Sequence, residues 1–166
     1  MQNIINTLVN LGIYEQFPNH FAFDEEILIH ILEQQTDINP DDVDLEALAN
    51  VLTDGYYCNR VRANEGFTLD THLQSPTAGY MVSLKGTEVQ FPNVADMPDD
   101  VLQRECEDFH SEVPRDVYFG AWVDEGTLYL DHSVNIQDRE VAIAFGHANN
   151  QLAIWDIANG KSIRLN

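Results

Sequence analysis

Positive charge is scarce in this sequence. Its 166 residues carry 8 Lys and Arg against 28 Asp and Glu, a formal net charge of -20. A solubilising charge for a small domain is about 2 to 8 in magnitude, so solubility alone does not ask for this much. Eight bases do not make the stripe that grips a phosphate backbone, so neither direct nucleic-acid binding nor contact with an anionic membrane is expected. Cysteine is scarce as well. Cys58 and Cys106 are too few for a disulfide framework and read as free thiols of a cytoplasmic protein. No apolar run reaches the roughly 18 residues of a membrane span, and MQNIINTLVNLGIYEQF lacks the basic start and cleavage site of a secretory signal. The glycine patterns that cradle phosphates and the G-x-S-x-G nucleophile elbow do not occur.

What is present argues for a folded chain. Hydrophobic residues make up 44%, enough for a core despite the charge. The acid is unevenly spread. Residues 1–60 hold 11 acids and 1 base, residues 61–113 hold 10 and 3, and residues 114–166 hold 7 and 4. The first two-thirds are therefore the acidic part. An acidic proteome of a salt-adapted organism would give the same composition without any partner.

Apolar spacing divides the chain. Ile4, Leu8, Leu11 and Tyr14 predict a helix over 3–16, weakened by Gly12 and limited by Pro18. DEEILIHILEQQ predicts a second helix, with its acids at the positive end. Asn39 as cap and Pro40 as first residue predict a third, with Leu45, Leu48 and Leu52 buried and Gly55 ending it. Residues 56–78 show no sustained period and read as a linker or irregular segment. GYMVSLKGTEVQF reads as two strands about a turn near Lys85 and Gly86, followed by a helix from Pro98 to about Glu112. VYFGAWVD and TLYLDHSV form a hairpin at Glu125 and Gly126, followed by a helix in QDREVAIAFGHANN and strands in QLAIWDI and SIRL. The expected fold is α+β. An acidic helical region over 1–55 precedes a mostly antiparallel sheet with two helices over 79–166, in the order β-β-α-β-β-α-β-β. The edge near Ser162–Leu165 could pair with a second copy to form a homodimer.

The letters of known chemistry are present without its geometry. Asp131, His132 and Ser133 would be a triad, but strand alternation sends His132 to the face opposite the other two. Cys106 and His110 share a helix face and could bind a metal with Asp70 and His72, yet the paired spacings of zinc sites are missing and Cys106 fits the apolar stripe. His20, His30 and His147 form no ligand spacing. Trp122, Tyr129 and Trp155 could be a stacking platform, although alternation favours ordinary sheet residues that pack a helix or half-cover an open face. No catalytic residue, metal or cofactor is expected.

The carboxylates remain. Asp41, Asp42, Asp44 and Glu46 crowd the start of the third helix. Asp99, Asp100, Glu105, Glu107, Asp108 and Glu112 run the length of the later one. Acids in a first turn gain about 0.3 to 1 kcal/mol each from the helix dipole, which accounts for Asp41, Asp42, Asp99 and Asp100. Glu107, Asp108 and Glu112 lie toward the unfavourable end. Arg104 can offset Asp108 at four residues' distance; solvent or a cationic partner must compensate the others. A helix rises about 1.5 Å per residue and duplex DNA carries about one charge per 1.7 Å, so a carboxylate row can approximate a nucleic-acid backbone. The expected partner is a basic nucleic-acid-binding protein or complex, such as a CRISPR effector or a restriction enzyme, bound by mimicry or masking. The alternatives are an acidic interaction module of a mobile element, or a small-molecule sensor or enzyme on the C-terminal sheet.

The last third, with YLDHS, DREVA and NQLAIWD, resembles a segment of accessory proteins of phages and plasmids. GYMVSL is similar too, so that the likeness covers about half of the chain. The resemblance implies a mobile-element origin. It implies no activity and no site residue.

Overall fold

The computed structural model describes residues 1–16, 23–64 and 66–165. The expected effects of Pro18 and His20 lie outside them. The chain divides into two compact units, Met1–Glu65 with Pro98–Gln103, and Gly66–Met97 with Arg104–Asn166. The first holds 14 acids and 2 bases, the second 14 and 6. The α+β expectation holds, with helices first and an antiparallel sheet after.

In the helical unit the first predicted helix is two. α1 (Gln2–Asn10) stops before Gly12, whose φ of +75° takes the backbone out of the helix, and α2 (Ile13–Gln16) resumes beyond it. α3 (Glu25–Gln35) starts at Asp24, whose carboxylate accepts Ile27 N–H at 2.9 Å, and buries Leu28, Ile31 and Leu32. The third helix begins later than expected. Asn39 and Pro40 open only a 3-10 turn over Pro40–Asp42, and Val43 is extended behind it. α4 (Leu45–Asp54) is capped by Asp44, which accepts Ala47 N–H at 3.0 Å.

The segment expected to be irregular over 56–78 holds a helix and a strand, α5 (Tyr56–Asn64) and β1 (Gly66–Leu69). α5 escapes a periodicity reading because Tyr56 through Val61 are all buried, polar Asn59 and Arg60 among them. It also has no cap of its own. Its Tyr57 and Cys58 N–H groups donate to the side chain of Gln103, at 2.9 and 3.0 Å. Those are among the four donors that a helix start leaves without partners.

The sheet unit contains β1, β2 (Tyr80–Ser83), β3 (Val89–Phe91), β4 (Tyr118–Asp124), β5 (Thr127–Ile136), β6 (Ala153–Asp156) and β7 (Lys161–Arg164). Their order is β1-β4-β5-β2-β6-β7, every pairing antiparallel, with β3 also on β5. β2 and β3 are not the hairpin that Lys85 and Gly86 suggested. Both pair with the edge of β5 that β4 leaves open, Ser83 opposite Ser133 and Val89 opposite Leu130. They form one interrupted strand, and the Thr87 hydroxyl accepts His132 N–H at 3.1 Å in the gap. The β4–β5 turn is as expected, Glu125 and Gly126 both having the positive φ that a tight hairpin requires.

α6 (Asp99–Ser111) and α7 (Arg139–Ala148) complete the order of elements. One face of the sheet is covered. Phe109 of α6 meets Phe119 and His132, with ring centroids 5.6 and 4.7 Å apart, and Ala142 of α7 packs with Val82 and Ile154. Alternation along each strand sends Trp122, Tyr129, Asp131 and Trp155 to the other face.

Candidate functional site

The carboxylates expected to form the working surface are at the surface. Asp41, Asp42, Asp44, Glu46, Asp99, Asp100, Glu107, Asp108 and Glu112 are exposed and Glu105 is half-buried. Their local duties differ. Asp44 caps α4, and Asp42 accepts the Asn39 side-chain amide at 3.3 Å. Asp41 and Asp42 thus belong to the 3-10 turn and not to α4, because Val43 breaks the helix between them and Leu45. Asp99 takes Arg62 at 3.1 Å. Arg104 pairs with Glu105 at 3.5 Å, and not with Asp108 as the helical spacing suggested.

On α6 and just past it, Asp100, Asp108 and Glu112 are left. Among the described residues no ion pair within 4.0 Å involves them. The stripe opposite them, Leu102, Cys106 and Val113, is buried and turns these acids outward. Asp100 to Asp108 spans about 12 Å of helix. The later acids sit where the dipole disfavours negative charge, and local structure does not compensate them.

The other sheet face is the second feature, exposed at Trp122 and Trp155 and buried at Met81, Gly120, Asp131 and Ser133 between them. Trp122 and Tyr129 stack at 4.1 Å with an angle of 10° between their planes. The Trp122 indole N–H donates to Asp131 at 3.4 Å, and the Ser83 hydroxyl donates to the same carboxylate oxygen at 3.0 Å. Asp131 lies over Gly120, where an added Cβ would come within 2.6 Å of its other oxygen. Burial pushes the Asp131 carboxyl above the ordinary range, against the two hydrogen bonds. Alternation had offered this pair as residues half-covering an open face. That Asp131 fixes the indole is not legible in the sequence, where it stands out only beside His132 and Ser133.

That triad is not assembled. Asp131 and Ser133 share one face, while His132 lies on the other against Phe109. The imagined metal ligands are otherwise engaged. His110 donates through Nε2 to the carbonyl oxygen of Asp70 at 2.8 Å, and burial holds its pKa below the usual value. The Asp70 carboxylate accepts the N–H groups of His72 and Gln74 within its own loop. Among the described residues no three His, Cys, Asp or Glu side chains converge on one point. Both cysteines are buried free thiols, and burial pushes Cys58 up to about 12 with the Asp99 charge adding to it. Such a thiol is a poor nucleophile at neutral pH. No described helix is long and apolar enough to cross a membrane. Compared with known proteins, the chain matches no family model, no curated protein and no solved structure.

Proposed function

We propose that this protein is a non-enzymatic inhibitor that occupies the basic nucleic-acid-binding surface of a defence complex, of the anti-CRISPR or anti-restriction kind, on behalf of a phage or other mobile element. The observation that carries the reading is the outward row along α6 and just past its end. Asp100, Asp108 and Glu112 are exposed, outside any ion pair among the described residues, and partly at the helix end where acid is locally unfavourable. A cationic cleft built for phosphates offers the compensation that the fold does not. The cytoplasm of the host cell is where such a complex works.

Charge-driven occupation is strongly salt-dependent, because screening at moderate ionic strength removes much of the attraction. Capture from a host lysate on the immobilised chain should retain a nucleic-acid-targeting protein that elutes as salt rises. With that partner purified, the chain should displace its DNA in a gel-shift assay. Reversal of Asp108 and Glu112 to Lys should weaken displacement by about tenfold or more, since truncating or reversing close interfacial charges costs several kcal/mol. Reversal of Asp41 and Asp42 should cost less. Binding that ignores salt, or a partner that holds DNA and this chain together, would contradict the proposal.

A further inference from the structure

We infer that the exposed end of this sheet face, around Trp122 beside the β4–β5 turn, is a second contact site, which takes an arginine side chain from a basic segment of the partner. The inference rests on the basic partner proposed above and adds the surface and the chemistry of contact. Trp122 is 40% exposed, although its indole is held by Asp131 on one side and by the stacked Tyr129 ring on another. A ring so fixed presents its remaining surface without losing rotamer freedom on binding.

The surroundings select the charge of the occupant. Asp124 lies two residues along β4 from Trp122, on the same face. Gln90 stands opposite Tyr129 and donates to Glu88 at 2.6 Å, which brings a further exposed carboxylate to the same edge. Glu125 occupies the turn. The outward positions of β1 to β5 include no Lys or Arg, and the first base on this face is Arg164 of β7, at the far edge of the sheet. An aromatic surface rimmed by carboxylates attracts a cation by both ring quadrupole and charge. Guanidinium suits it better than ammonium, being planar and more weakly hydrated. A nucleobase would also stack, but its phosphate would meet only repulsion.

A stacked cross-strand pair can serve the hairpin alone, and the experiment separates that role from binding. The full chain carries two tryptophans, so Trp155→Phe makes Trp122 the sole reporter. A hexa-arginine peptide at low ionic strength is the probe. Its addition should change Trp122 emission saturably and protect the indole from acrylamide. In calorimetry Trp122→Leu should weaken peptide binding about three- to tenfold, and Trp122→Phe should lose less. The inference is overturned by unchanged peptide affinity in a folded Trp122→Leu protein, or by Trp122 emission that stays still at saturation. It is overturned also by a wild-type dimer that Trp122→Leu dissociates, which would make the face a self-association surface. Should Trp122→Leu fail to fold, the emission and acrylamide measurements decide. The readout is the peptide at Trp122 and not displaced DNA, so failure here is distinct from failure of the α6 reversals.

Discussion

In the helical unit, polar side chains go inside to finish helices; in the sheet unit one buried carboxylate, Asp131, fixes an aromatic ring, and another, Asp156, accepts Asn159 in the turn after β6. The Tyr14 hydroxyl donates to the Leu52 carbonyl at 2.8 Å, and the Asn59 amide donates to the Val51 carbonyl at 2.9 Å and to Tyr14 at 3.1 Å. Both carbonyls belong to the last turn of α4; the Gly55 N–H also reaches Val51 at 3.0 Å, and the carbonyls after it are the ones a helix end leaves for other donors. Arg60, nearly fully buried, reaches Glu15 at 2.8 Å and lies over the rings of Tyr14 and Tyr56. Among the described residues of the sheet unit, the helix-covered face centres on Phe119, Leu128 and Leu130, each fully buried. Asp131 serves the opposite face. The contrast shows where loss of one side chain should hurt. Deletion inside the sheet unit removes apolar volume, whereas in the helical unit it can strand a helix end with little change in volume.

Four substitutions test that contrast. Phe119→Ala should cost about 3 to 5 kcal/mol, the range for truncating a fully buried ring, as measured by chemical denaturation. Tyr14→Phe keeps the ring but leaves the Leu52 carbonyl unpaired, and should cost about 1 to 3 kcal/mol. If it costs as much as Phe119→Ala, the distinction between the units fails. Asp44→Ala should cost about 1 kcal/mol through loss of the α4 cap. Asp41→Ala, in the 3-10 turn, should stay within about 0.5 kcal/mol of wild type, and equal losses would return Asp41 to the helix start.

A fifth effect is one of sign. Burial raises the Asp131 pKa above the ordinary 3.8, so the folded chain binds this proton more tightly than the unfolded one. Its contribution to stability therefore falls as pH rises from the ordinary carboxylate pKa through the raised one, and is level above it. Asp131→Asn removes this dependence. Its stability relative to wild type should improve with rising pH across that interval, as read from paired denaturation curves at several pH values. A pairwise difference that is flat, or that runs the other way, would show the carboxylate to be better compensated than its burial implies.

Much of the sheet unit was legible in advance. Period-two alternation, the Glu125–Gly126 turn and the helix in QDREVAIAFGHANN are local signals, and the fold follows them. The carboxylates are legible as two clusters on helices, but which of them are exposed and how they pair are not. Which carboxylate Arg104 takes depends on rotamers, and Asp99 is claimed by an Arg62 on a helix that the pattern did not reveal. β2 and β3 misled because a turn signal does not tell whether the chain reverses or only bulges.

The sequence by itself determined the charge and the α+β order of elements, because composition and periodicity act over a few neighbouring residues. Tertiary structure alone decided α5, whose first donors are satisfied by Gln103 from about 45 positions downstream. It decided the Trp122 platform too, because Asp131, Ser83 and Gly120 come from three different strands. Partners that distant meet only after the chain has folded, and no local pattern announces them.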